Sequence, residues 1–139
     1  MRDDNPPLCY KGIWITIGVG LISAVVYLSL TSKPMDINLP IPFLDKFEHA
    51  FAYFVQMFWF SMVFFRKKLR LLIFGALIAM GVFLEVLQGI GHYRYFEYAD
   101  MAANTTGVVI GYALGLTSLR FGLLWFENRI SKGLGSPIE

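Results

Sequence analysis

From Gly12 to Leu30 the chain carries no charged residue. About 20 apolar residues in a helix, at 1.5 Å per residue, cross the hydrocarbon core of a bilayer. This stretch limits the fold more than any other part of the sequence. A secretory signal peptide is the rival reading. The run exceeds a usual signal-peptide core and no small-x-small cleavage site follows it, so a retained helix is favoured.

The rest of the sequence repeats the pattern. A second span is predicted over about residues 46–65, a third over 71–90 and a fourth over 101–124. Asp45 and Asp100 stand where an N-cap carboxylate would accept free backbone N–H groups. Residues 31–44, with three prolines, read as an extended connection. Residues 91–99 form a short tyrosine-rich loop. At 56% hydrophobic and 16% charged, 139 residues could not hide their apolar surface as a soluble domain. The expected architecture is one all-α membrane domain, a four-transmembrane-helix bundle. The net charge of +2 gives no reason to expect nucleic acid. The single Cys9 excludes an internal disulfide and a cysteine-rich metal site.

Orientation follows from Lys and Arg placement. Arg2, Lys11, Arg66, Lys67, Lys68, Arg70, Arg120, Arg129 and Lys132 fall on one side, whereas Lys33, Lys46 and Arg94 fall on the other. Both termini are therefore expected in the cytoplasm. The Arg66–Arg70 run reads as a loop that anchors the topology on anionic lipid. Trp14, Trp59 and Trp125 read as lipid-facing or interfacial.

This topology gathers Asp45, His49, Glu85, Gln88, Arg94, Asp100 and Asn104 at the outer face. By helical rise, His49, Glu85 and Asn104 should lie roughly 5–10 Å below the hydrocarbon edge. Ionisable groups at such depth are costly and usually face a protein interior or wet cavity. Asp45, His49, Tyr53 and Gln56 form one helical stripe. Glu85 and Gln88 share a face, as do Asp100 and Asn104. The latter stripe continues through Gly107, Gly111 and Gly115, whose spacing lets helix backbones approach closely. Gly75 and Ala79 form a weaker counterpart. The close contact could be made inside the bundle or with a partner, and a homo-oligomer is compatible with the sequence.

Plainer readings stand beside these. Asp45 and Asp100 are equally readable as simple caps. Gln88 and Asn104 could serve only as interhelical hydrogen-bonding groups. His49 could be a buried histidine bonded to Asp45 or Glu85. Arg94 could neutralise an acid or meet lipid phosphate. Glu48, Glu97 and His92 read as surface residues of the outer mouth. Glu85 is the hardest to explain away, because a carboxylate at that depth needs a partner or a proton.

In order, these residues spell D-K-x-x-H-x-x-x-Y (Asp45, Lys46, His49, Tyr53), E-x-x-Q (Glu85, Gln88), the loop Arg94, and D-x-x-x-N-x-x-G-x-x-x-G (Asp100, Asn104, Gly107, Gly111). The pattern, over about residues 43–115, resembles the VanZ-like family of small bacterial integral membrane proteins. One departure is His92, which stands about where the family often has a proline. The resemblance implies a four-helix multi-pass protein of the bacterial cytoplasmic (inner) membrane. The family's namesake is associated with resistance to teicoplanin, a lipoglycopeptide that attacks cell-wall precursors.

Three functions remain open on these residues. One is binding or modification of a membrane lipid or lipid-linked envelope precursor. Arg94 would then grip phosphate or carboxylate, and Asp45, Tyr53, Gln88, Asp100 and Asn104 would line the site. Any chemistry would fall to His49 and Glu85 as an acid–base pair. No G-x-S-x-G, H-E-x-x-H or P-loop marks an enzyme class. A second is a metal site of Asp45, His49, Glu85 and Asp100, suited to Zn²⁺ or Mn²⁺. The lone imidazole of the motif and the competing Arg94 weigh against it, and no metal or cofactor is assigned. The third is a structural, partner-binding or transport protein whose polar cluster holds the helices together.

Overall fold

The structure, a computed structural model, describes residues 8–31, 44–91 and 96–133. Among the described residues there is no strand. The helices are α1 (Lys11–Leu30), α2 (Leu44–Val63), α3 (Lys67–Ile90), α4 (Tyr98–Leu114) and α5 (Gly122–Gly133). A short 3-10 turn, Ser118–Phe121, leads into α5.

α2 is the axis of the bundle and touches all four other helices. Its most extensive partner is α4, and the reason is the absence of side chains on one face of α4. A Cβ on Gly107 would overlap the Ala50 carbonyl oxygen. One on Gly111 would lie 2.7 Å from the Phe54 carbonyl oxygen, and one on Gly115 would lie 2.5 Å from Ser61 Cβ. The two backbones are therefore in contact over two turns, which is how small residues bring membrane helices together. Gly75 has open space around it. On α3 the close approach is made instead by Gly81, against Asn104 and Tyr53.

α1 is peripheral. It is apolar all round, yet Gly18 is its one buried residue, set against Phe60 and Trp59. A uniformly apolar helix left uncovered by the rest of the described residues belongs in lipid. Large apolar side chains also cover the outer faces of α2 and α3, among them Phe47, Phe51, Leu72 and Phe83. By length and composition α1 and α3 qualify as membrane spans, and the α4–α5 pair would make a third if counted as one bent span. α2 matches α1 in length but carries Asp45, Lys46, Glu48, His49 and Gln56.

Two expectations are corrected. The fourth helix is not continuous over 101–124: it ends at Leu114, and α5 turns away by 78°. Thr117 makes the break. Its backbone is extended, its hydroxyl donates to the Leu114 carbonyl, and the same oxygen accepts the Leu119 N–H. Such local bonds compete with helical ones. Second, Lys67, Lys68 and Arg70 are not in a loop. They form the first turn of α3, where the Leu69 and Arg70 N–H groups already bond the Arg66 carbonyl. Trp14 and Trp59, read as lipid-facing or interfacial, are half-buried and packed edge to face at 6.0 Å, with Trp59 Nε1 donating to the Trp14 carbonyl, and Trp125 is exposed.

Both ends of the described chain lie at one end of the bundle. Leu8, Val63 and Leu123 form a shared apolar cluster there, ringed by Trp14, Trp59 and Phe65. Glu127 of α5, only 2% exposed, accepts from the Cys9 and Tyr10 N–H groups and from Trp14 Nε1, at 2.7, 2.9 and 2.6 Å. The carboxylate thus satisfies free donors at the start of α1, where the helix dipole also favours negative charge. At the opposite end, α1 and α3 finish and α2 and α4 begin. That end holds the polar cluster.

Candidate functional site at the polar end of the bundle

The starts of α2 and α4 lie side by side because the glycine face below holds them together. Lys46 is thereby placed among three carboxylates. Its ammonium is 2.8 Å from Asp45 Oδ2 and also contacts Glu97 and Asp100. Asp100 is buried, and Lys46 is largely covered. The same stripe of α4 receives His49. Its Nδ1 lies 3.2 Å from Asn104 Oδ1, and its Nε2 lies 3.5 Å from Asp100 Oδ2. The four-residue spacing of Asp100 and Asn104 thus brackets one imidazole.

Neither expected cap acts as one. Glu97 is the N-cap of α4, which puts Asp100 in the first turn, facing Lys46 and His49. Asp45 is likewise inside the first turn of α2, bonded to Lys46.

Glu85 is 1% exposed and reaches α4 from α3, accepting the Glu97 backbone N–H at 2.8 Å. Its carboxylate is within electrostatic reach of the Tyr53 phenol. Gln88, one turn further along α3, donates to the Ser29 carbonyl at 2.7 Å and ties α3 to the end of α1. The structure therefore gives His49 and Glu85 different partners. His49 is directed by Asp100 and Asn104, whereas Glu85 holds the entry to α4. Both imidazole nitrogens face oxygen atoms, so proton transfer by His49 would require one contact to open.

The stripe of α2 continues inward to Tyr53 and Gln56. Both are buried, Gln56 at 1% exposure, and the Tyr53 hydroxyl and both amide atoms of Gln56 have no hydrogen-bond partner among the described residues. Gly81 of α3 lies against Tyr53 and against Asn104 of α4. Buried polar groups in native structures are nearly always bonded, and an unsatisfied one costs about 1–3 kcal/mol. These donors and acceptors form the floor of the polar end.

Among the described residues, the carboxylates that come close enough to share a cation are Asp45, Glu97 and Asp100, not the set expected from sequence. Glu85, bonded to the Glu97 N–H, is outside that group, and His49 reaches only Asp100 of the three, through Nε2, with Nδ1 turned to Asn104. The Lys46 ammonium already lies among the three carboxylates and supplies the positive charge a metal would bring. Arg94 and His92 lie outside the described residues.

Sequence reasoning gave neither Lys46 nor Glu97 a role in the site, and its reading of Glu97 as a surface residue of the outer mouth agrees with the exposure of that side chain. The signal available for Lys46 was its position beside Asp45 at the start of a helix, with its charge on the side poor in basic residues. For Glu97 it was placement at the end of a short loop, three residues before Asp100.

A model of the VanZ/LLP1 family matches residues 15–120, which include every residue of the cluster and of the glycine face. No curated protein and no solved structure matches the chain.

Proposed function

This chain belongs to the VanZ/LLP1 family, and we propose that its polar end binds the headgroup of a membrane lipid or lipid-linked envelope substrate. The carrying observation is the pair of unpartnered buried groups, the Tyr53 hydroxyl and the Gln56 amide, at the inner end of the stripe. A purely structural network would satisfy its own members. Groups that stay unbonded within the protein are suited to meeting a ligand's polar atoms or the water that accompanies them.

In this reading the protein passes four times through the bacterial cytoplasmic membrane, with both termini inside. The density of Lys and Arg at the end where the starts of α1 and α3 meet α5 supports that orientation. At 17 residues, α4 is about 25 Å long, enough to take its polar start to the outer headgroup level. α5, bent away and amphipathic, lies along the inner surface. Asp45, Asp100, Asn104, Gln88 and Arg94 are the outer binding groups, and Tyr53 is at the inner end. His49 and Glu85 are positioned first for binding. Acid–base chemistry between them would require both to leave their present partners.

The test is native mass spectrometry of purified wild type, Tyr53→Phe and Gln56→Leu, with thermal unfolding of each. The expected result is a lipid or lipid-linked species retained by wild type and lost at least tenfold by both variants, with folding intact. Equal retention in all three, or none in any, overturns the reading. The completeness of the Lys46 contacts and the Gln88–Ser29 bond favours a second reading, a structural or partner-binding membrane protein. Unfolding of Gln56→Leu or Tyr53→Phe would favour that one.

A further inference from the structure

At the opposite end of the bundle, Arg70 is 3% exposed and makes no ion pair with any carboxylate of the described residues. Burying an unpaired cation is strongly unfavourable. Its protein contacts are neutral. Nη1 donates to the Gly115 carbonyl at the end of α4, and the guanidinium is 6.0 Å from the Tyr112 ring. The negative end of the α4 dipole and the ring quadrupole compensate the charge in part. A second guanidinium makes the balance worse. Arg120, in the 3-10 turn that follows Gly115, is close enough to repel Arg70, and its other charge contact is the Phe121 ring at 4.8 Å. Both arginines also keep a buried Nε–H without an acceptor among the described residues. With Nη1 committed to Gly115, the edge of Arg70 that carries Nε and Nη2 remains for side-on, two-point recognition of an oxyanion.

We propose that Arg70 and Arg120 form a binding site for a phosphate group at the break between α4 and α5. One anion there separates two like charges, accepts both orphaned Nε–H donors and holds the bend in place. The site is at the far end of the bundle from the headgroup region and does not depend on it. Its phosphate comes from a phospholipid headgroup or from free phosphate, and the two sources are separable.

The experiment uses delipidated full-length protein, either wild type or Arg120→Gln. Arg120 is partly exposed, and this variant is expected to fold, as circular dichroism would verify. Phosphatidylglycerol, diacylglycerol and inorganic phosphate are titrated separately, with thermal unfolding and native mass spectrometry as readouts. One phosphatidylglycerol per chain is expected on wild type, raising its melting temperature, with affinity at least tenfold lower for Arg120→Gln. Arg70→Lys keeps a charge but loses the two-point edge, and should also weaken binding. Diacylglycerol should do nothing. An Arg120-dependent shift with inorganic phosphate alone keeps the site and assigns it to the free anion. Binding that is equal in wild type and Arg120→Gln, or absent with both phosphate probes, overturns the proposal.

Discussion

The carboxylate of Glu85 on α3 accepts the backbone N–H of Glu97, the residue that caps α4. In a capping box that N–H is served by the side chain three residues into the same helix. Here that residue is Asp100, and its carboxylate is turned to Lys46 and His49 instead. Glu85 supplies from a neighbouring helix what Asp100 gives up. The polar end is thus one linked arrangement, in which the start of α4 depends on α3.

Replacing Glu85 therefore acts on α4 before it acts on any ligand. Glu85→Ala leaves a backbone N–H without its acceptor and should destabilise the protein by about 1–3 kcal/mol. Glu85→Gln keeps an acceptor oxygen and should lose well under half as much. Thermal unfolding in detergent orders the two. Equal losses would mean that the Glu97 bond contributes nothing measurable.

Lys46 sets the charge balance of three carboxylates, and its loss leaves them facing one another. Lys46→Ala should destabilise by about 1–3 kcal/mol, between the values for exposed and for buried pairs, because Lys46 is partly covered and Glu97 is exposed. Asp100→Asn in the same chain should recover part of that loss. Lys46→Ala should also gain a melting-temperature increase with Mn²⁺ or Ca²⁺, as the freed carboxylates accept a cation. Chelator should leave wild type unchanged. A wild-type protein that loses stability in chelator would reverse the assignment of Lys46 as the resident cation.

The sequence revealed helix number and placement up to Leu114, because apolar runs and helix periodicity are local signals. It also revealed which residues of α2, α3 and α4 share a face. What it could not show was pairing across helices. His49 was open to Asp45 or Glu85, and only the register set by the glycine face sends it to Asp100 and Asn104. The break after Leu114 was missed because the run Leu116–Leu124 stays largely apolar, while the extended Thr117 is a single residue's conformation. Glu127 was missed for a related reason. Its partners are 113 to 118 residues away, and no spacing rule connects them.

Glu127 makes its own prediction. Its carboxylate takes three donors, two of them backbone groups at the start of α1. Hydrogen bonds to a charged group contribute about 1.5–3 kcal/mol each before non-additivity is considered. Glu127→Ala should therefore cost at least about 3 kcal/mol. It should also red-shift tryptophan emission as Trp14 loses its acceptor and its neighbour Trp59 loosens. Glu127→Gln retains one acceptor and should be intermediate. An unshifted spectrum in Glu127→Ala would mean that packing on Phe126 and Trp59 alone holds Trp14.

The glycines of α4 and α3 separate packing from helix propensity. In an ordinary helix interior Gly→Ala stabilises by roughly 0.5–1 kcal/mol. Gly75 has open space, so Gly75→Ala should be neutral or stabilising. Gly107→Ala places a methyl group onto the Ala50 carbonyl, part of a backbone that cannot rotate away. The helices must separate there, and His49 then loses its alignment with Asn104 and Asp100. Gly107→Ala should fail to accumulate as folded protein, and Gly111→Ala, 2.7 Å from the Phe54 carbonyl, should be severely destabilised. At Gly81 the nearest atoms belong to the side chains of Asn104 and Tyr53, at 3.2 and 3.3 Å, which can shift by a few tenths of an ångström. Gly81→Ala should therefore fold with a modest loss while disturbing the floor of the polar end. Folded yield and melting temperature across the four variants measure the order. Normal folding of Gly107→Ala would show that the α2–α4 contact is looser than the backbone approach described here.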